Sequence, residues 1–252
     1  LKPNSKRGAK RNIKSHYDLG NDFYALWLDP SMTYSSAVYP NTSSTLEEAQ
    51  RHKYQLLIDE LKLEPSHHLL EIGCGWGGFA VYAAEMIGCK ITAVTISQAQ
   101  YDFARRRIEN AGLNDKITLL LRDYRDLEGR YDRVVSIEML EAVGESYWAS
   151  YFTKLNALLK EGGRAALQVI TIEKTYWQSY RSNPDFIQQY IFPGGMLPTI
   201  ERLQDEAGEA NLAWERCQGY ASDYAKTLAV WREAFHKAWP KLEKLGFDER
   251  FR

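Results

Sequence analysis

Two groups of residues in this chain have types and spacing suited to chemistry. The first is Gly73-Cys74-Gly75-Trp76-Gly77-Gly78, four glycines within six residues, preceded by the acid Glu71. Glycine permits positive φ angles and close approach of backbone to a ligand. A glycine turn that opens a helix also presents free backbone N–H groups, which favour a partial negative charge. The second group is a pair of carboxylates in Glu138-Met139-Leu140-Glu141, just after an apolar run. Acids at the end of a strand in an open α/β sheet stand where catalytic groups usually collect. For Glu138, a helix-start acid at the sheet edge is the slightly favoured reading. Glycine-rich turns are common, and a tight strand–helix turn without a ligand would look the same.

The surrounding elements decide whether such residues meet. Leu69 to Ile72 reads as a buried strand with Pro65 upstream, and Phe79 to Ile87 as a helix stopped by Gly88. Lys90 to Thr95 is a second strand, and Ser97 caps a helix that ends near Ala111-Gly112. Lys116 to Leu121 and Arg130 to Ser136 read as the third and fourth strands. Glu145 to Leu159 reads as a helix, and Gly162-Gly163 as a turn into a fifth strand, Arg164 to Thr171. Such alternation predicts a doubly wound, mostly parallel sheet. Ahead of it, His16 to Leu28 has helical spacing ended by Asp29-Pro30, Met32 to Tyr39 is a loop, and Ser44 to Glu47 is a capping box for a helix to Leu61. Glu173 to Thr199 breaks the alternation; it is aromatic, carries three prolines, and reads as a substrate-facing insertion. Ile200 to Gly208 is helical, and Tyr224 to Trp239 is an amphipathic helix that Pro240 is expected to end.

Composition narrows the classes. The 252 residues, 44% hydrophobic and 26% charged, suffice for one large α/β domain. A formal net charge of -1 does not support wholesale binding of nucleic acid. Cys74, Cys89 and Cys217 have no paired spacing, so neither a metal site nor a disulfide framework is indicated, and a reducing cytoplasm fits. No apolar run is long enough to span a bilayer. The basic residues of 1–14 read as a solvated linker, with attraction to anionic headgroups as the alternative. The 16 Tyr, 9 Phe and 7 Trp serve core packing or an apolar substrate pocket.

The glycine turn lacks the G-x-G-x-x-G spacing, and the second strand ends in Val94-Thr95-Ile96-Ser97 without the acid that an NAD enzyme places there. Glu71-x-Gly73-x-Gly75-x-Gly77 instead resembles the first motif of S-adenosylmethionine-dependent methyltransferases. Ile72 to Gly78 together with Val94 to Ser97 is similar to the cyclopropane fatty-acid synthases, class I methyltransferases. His16 to Asn21, Tyr34-Ser35 and Tyr190 to Gly194 agree, and the resemblance runs from about Asn12 to Arg252. It implies a Rossmann-like class I methyltransferase fold with an N-terminal helical lid, and a catalytic domain over 15–252. A separate N-terminal domain and a last helix and strand are expected to lie outside this chain.

The resemblance also implies S-adenosylmethionine as cofactor, its methionyl carboxylate at Gly73, Gly75 and Gly77. Ribose or adenine contacts carry over to Thr95, Ile96, Gln100, Asp123 and Tyr124, and lid contacts to Tyr34 and Ser35. A structural turn residue is the other reading of Asp123. The implied reaction adds a methyl group to the double bond of an unsaturated acyl chain in a phospholipid. Loss of a proton then gives a cyclopropane, or a branched or methylene chain. The family handles that proton with a bicarbonate held by a Cys, a Glu, a His and a Tyr. Glu141 and Tyr224 match; Ser36 stands for the Cys, Gln168 for the His, and Ala142 for a His common after the Glu. Ser36 and Gln168 can still donate hydrogen bonds. Bicarbonate use and ring closure both stay open on these departures. Rival readings are a methyltransferase for a soluble acceptor and a cofactor-binding protein without turnover. Peripheral attachment to the inner face of the membrane, from the cytoplasm, and a homodimer complete the expectations.

Overall fold

The computed structural model describes Gly8 and residues 19–252; the basic stretch 1–14, apart from Gly8, and the start of the His16 helix lie outside the described residues. Five parallel strands form one sheet: β1 (His68–Ile72), β2 (Lys90–Thr95), β3 (Ile117–Leu121), β4 (Tyr131–Ile137) and β5 (Leu159–Gln168). Their order is β3-β2-β1-β4-β5, so the chain winds one way from β1 and the other way from β4. The crevice between the carboxyl ends of β1 and β4 is the switch point, where ligands of such sheets bind.

Both faces of the sheet are covered, which is why the strands read as continuous apolar runs. Leu70, Ile72 and Val134 pack on one face with Trp148, Phe152 and Leu155 of α6 (Trp148–Leu158) and Leu203 of α8 (Ile200–Glu209). Leu69, Ala93 and Val135 pack on the other with α2 (Leu46–Leu61), α3 (Gly78–Ile87) and α4 (Gln98–Asn110). Trp148 is fully buried; truncating such a side chain costs about 3–5 kcal/mol. A third, aromatic cluster joins α1 (Asn21–Ala25) to α9 (Ala221–Lys244) through Phe23, Trp27, Trp76, Trp231 and Trp239. It seats the segment 19–39 over the glycine turn. Arg107 of α4 ties the two together: Nη1 donates to the Ser31 (2.5 Å) and Trp76 (3.1 Å) carbonyls, and Nη2 to that of Pro30 (2.8 Å).

Several boundaries differ from the sequence expectation. The capping box is Thr45–Glu48, not Ser44–Glu47, because the Ser44 N–H is already used in a turn onto the Asn41 carbonyl. The first helix stops at Ala25, where the Leu26 and Trp27 N–H groups bond three residues back rather than four. Residues 145–147 form a separate 3₁₀ turn ahead of α6. Gly162-Gly163 does not precede β5 but lies inside it, at a register shift opposite Tyr131 and Arg133. Pro240 does not end α9, which continues to Lys244 with Leu242 fully buried. That burial holds the last turn despite the missing N–H. The insertion contains α7 (Lys174–Ser182) and a single π turn, Ile187–Ile191; α5 (Leu140–Val143) is the short turn that follows β4.

Candidate active site

A cavity of about 600 Å³ opens at the switch point, within the range of roughly 300–1,000 Å³ usual for ligand pockets. One wall is backbone. The Gly73 and Cys74 N–H groups both donate to the Val94 carbonyl (2.9 Å), which pins the turn against β2. Gly75 has φ +53°, and a Cβ there would meet nothing within 4 Å, so open space lies where a ligand would pass. Gly77 caps α3 without a side-chain acceptor, so the first-turn N–H groups are left for a ligand. Glu71 is buried below the turn; burial pushes its carboxyl up to about 8, against the Ala80 N–H.

Side chains extend this wall. The Thr95 hydroxyl donates to Gln100 Oε1 (2.8 Å), so the free end of Gln100 is its amide donor, suited to ribose hydroxyl oxygens. Asp123 starts a 3₁₀ turn and takes Arg125 in a fork, with Oδ1 to Nε at 2.8 Å and Oδ2 to Nη2 at 2.6 Å, while still lining the cavity. Asp123 is thus a turn residue that also lines the cavity. Burial pushes the neighbouring Tyr124 hydroxyl up to about 12. Tyr34, Ser35, Gly73, Thr95 and Ile96 also line the cavity; Gly77 does not, and its absent side chain instead makes room for Ala104. The open Gly75 approach, the uncapped helix start and the Gln100 amide fit an S-adenosyl amino acid.

The opposite wall is acidic. Glu138 sits directly after β4 with φ +47°, and its N–H donates to the Gln168 carbonyl (2.8 Å). Its Oε1 accepts the Ser36 N–H (2.8 Å) and the Gln168 amide Nε2 (2.8 Å), and Gln168 Nε2 also reaches the Ser36 carbonyl (3.1 Å). Glu138 is therefore not the helix-start acid favoured from sequence; its Oε1 joins two remote segments. Glu141 Oε1 accepts the Ile170 N–H (2.5 Å), while Oε2 is buried with no hydrogen-bond partner. Burial and the Glu138 charge push Glu141 up to about 8. Burial and both acids raise the Tyr224 hydroxyl. Glu138, Glu141 and Tyr224 line the cavity.

Tyr224 is remote in sequence but is carried in by α9. Thr227 Oγ1 accepts the Ala37 N–H (3.1 Å) and Asp223 Oδ1 the Tyr39 N–H (2.7 Å), locking the helix to the loop that bears Tyr34 to Ser36. Ser36 and Gln168 come together as expected, but both stand behind the cavity wall. The Ser36 hydroxyl turns to the Ala37 carbonyl (3.1 Å), and Gln168 is engaged by Glu138. Two of the four groups of the expected bicarbonate cradle are thus committed to a carboxylate of the chain itself. The residues present do not fit that ion. Among the described residues no group of three His, Cys, Asp or Glu side chains could hold a metal ion.

Lys53 is the residue that sequence reading missed. Only 2% exposed, it donates from Nζ to Ser35 Oγ (2.7 Å). Burial pulls its amine down to about 7, opposed by the charges of Glu138 and Asp29. Its place on the inward side of α2, beside buried Gln50 and Tyr54, is the signal that could have found it.

The chain is similar to known proteins over nearly its whole length. Residues 4–252 match the model of the mycolic acid cyclopropane synthetase family. The chain is 42% identical over 98% of its length to the tuberculostearic acid methyltransferase UfaA1 of Mycobacterium tuberculosis. It is 39% identical, again over 98%, to the cyclopropane-fatty-acyl-phospholipid synthase of Escherichia coli. It spans 60% and 62% of the length of those two relatives. Among solved structures, the mycolic acid cyclopropane synthase CmaA1, complexed with SAH and CTAB, superposes with a TM-score of 0.90 at 30% identity, covering 96% of this chain and 88% of that one. The chain belongs to the mycolic acid cyclopropane synthetase family, S-adenosylmethionine-dependent methyltransferases of Rossmann-like fold.

Proposed function

We propose that this chain carries the methyl transfer from S-adenosylmethionine to a double-bond carbon of an unsaturated acyl chain in a phospholipid. One observation carries the reading. A single cavity joins the glycine turn, the Glu138–Glu141 pair and the apolar side chains Ile187, Ile191, Phe192 and Leu228. When bound, the cofactor supplies an electrophilic methyl group on a sulfonium sulfur. An isolated alkene is a weak nucleophile, so orientation in a dry pocket must supply much of the rate. Tyr34, Trp27 and Trp231 form an aromatic wall whose faces favour positive charge as it develops. Glu141, with one oxygen unpartnered, and Tyr224 face the same space and are assigned to orienting the cationic carbon and its departing proton.

Access is assigned to the insertion. Phe186 and Tyr190 pack with ring centroids 5.1 Å apart at a tilt of 36° and are 66% and 70% exposed, a pair of rings presented outward beside the cavity. No helix of the described residues is long and apolar enough to cross a membrane. Docking on the bilayer surface, with the acyl chain drawn inward past these rings, fits that arrangement.

The test is product analysis on vesicles of mono-unsaturated phospholipid with methyl-deuterated cofactor. The reading expects acyl chains heavier by one labelled methyl(ene) group, and none in saturated vesicles. Fragmentation and deuterium retention separate a ring from a branched chain. Label found only in headgroups or soluble acceptors would overturn the lipid reading.

A further inference from the structure

We propose that Glu138 is the resident anion of this site: its carboxylate fills the place between Ser36 and Gln168 expected for a dissolved bicarbonate, and it receives the proton released after methyl transfer. The inference rests on the proposed alkene methylation. Its geometric basis is independent of that reading. Ser36 and Gln168, 132 residues apart, are joined by the Gln168 amide on the Ser36 carbonyl, and both donate to Glu138 Oε1. A second bond, from the Glu138 N–H to the Gln168 carbonyl, fixes the acid to the same residue through its backbone. The backbone at Glu138 is held at φ +47°, a conformation unusual for a residue with a side chain. Oε2 takes no part in these bonds, and the residue lines the cavity.

The neighbours divide the two acids. Burial raises the Glu138 carboxyl above the usual carboxylate range, opposed by the charge of Lys53 and by the two N–H donors from Ser36 and Gln168. Glu141 has backbone donors only and is pushed up to about 8 by burial and by Glu138 itself. The Glu138 carboxylate is thus met by a backbone donor, an amide donor and a lysine charge, and that of Glu141 by backbone N–H alone, an arrangement that sets an acceptor, Glu138, beside Glu141. The alkene π pair forms a C–C bond to the methyl carbon as its bond to sulfur breaks, which leaves a cation on the neighbouring chain carbon. A C–H electron pair of the new methyl group then closes a three-membered ring onto that cation, or a C–H pair on a chain carbon adjacent to the cation forms an alkene. The released proton converts the Glu138 carboxylate to a carboxyl.

The experiment compares the wild type with Glu138→Gly and Glu138→Gln in buffers purged of carbon dioxide, with and without added bicarbonate. Glycine suits φ +47°, so the fold and the affinity for S-adenosylhomocysteine should be retained. Wild-type turnover on mono-unsaturated vesicles should change by less than about twofold on adding bicarbonate, whereas both variants should lose about 10²-fold or more. Bicarbonate should restore part of the activity in Glu138→Gly, where it finds space, and none in Glu138→Gln. Carbon-13 resonance of labelled bicarbonate supplies a readout without turnover: binding to Glu138→Gly and none to wild type is expected. Equal binding to both, or a wild type that depends on bicarbonate, would overturn the proposal. A wild type that modifies no lipid under any condition would instead count against alkene methylation, and the resonance measurement would still decide the role of Glu138.

Discussion

The two walls of the cavity are built on different principles. The centre of the cofactor wall is one continuous stretch, Gly73 to Gly78, whose working groups are backbone N–H donors and whose demand on sequence is glycine, for positive φ at Gly73, Gly75 and Gly77 and for close packing against Tyr54 and Ser31 at Gly78. The acid wall is assembled from four separate regions: Ser35-Ser36, Lys53, Glu138 to Glu141, and Gln168. The first is a property of local geometry, the second of tertiary convergence. A local site tolerates change around it and fails only when its glycines change. A convergent site couples its members, so that altering one shifts the charge on the others.

The sharpest way to separate the walls is to damage each alone. Glu141→Gln keeps shape and removes a titrating group from the pair; turnover should fall about 10²–10⁴-fold, while calorimetric affinity for S-adenosylhomocysteine changes by less than about twofold. Parallel loss of affinity would mean that the walls are not independent. Gly75→Val acts on the other side. It forces a branched residue to φ +53° and fills open space, with about 1–3 kcal/mol of strain in addition to the blocked approach. Cofactor-product affinity should drop about 10²-fold. Unchanged affinity would remove the turn from the site.

Smaller effects test the rim and the core. Phe186→Ser with Tyr190→Ser should weaken binding to phospholipid vesicles about tenfold and leave cofactor affinity unaltered; unchanged sedimentation with vesicles would rule out these rings as the docking surface. Glu71, held at about 8 by burial, is raised above its unfolded value. Its contribution to stability is full below about pH 4.5 and is lost as pH rises to about 8, by at most about 1.4 kcal/mol per pH unit. Glu71→Gln should flatten that part of the thermal-unfolding profile between pH 5 and 7. Lys53, held at about 7, works in the opposite sense, with a contribution lost as pH falls from 10.5 through 7. That is why the Glu71 comparison belongs below pH 7.

The same contrast explains what could be read in the sequence. β1, the glycine turn and β2 announce themselves because strand periodicity, glycine and the cap at Ser97 are all local signals. So is the alternation that gives the parallel order. Gln168 and Ser36 could be matched by resemblance to positions in a cradle, but nothing local shows that Glu138 fills it, because that depends on a left-handed backbone turn after β4 and on two remote donors. Lys53 was hidden for the same reason: its partner Ser35 is reached only when α2 packs beneath the loop. At Pro240 a local rule was overridden by the burial of Leu242.

The most direct measurement is a crystal structure of the chain with S-adenosylhomocysteine and a mono-unsaturated lysophospholipid. The amino-acid carboxylate is expected at Gly73 to Gly78 and the adenosine along Thr95, Gln100 and Asp123. The acyl double bond is expected between the sulfur and the Glu138–Glu141 pair, with Glu138 still bonded to Ser36 and Gln168. An acyl chain bound away from both acids, or a bicarbonate seated between Ser36 and Gln168 with Glu138 displaced, would contradict this arrangement.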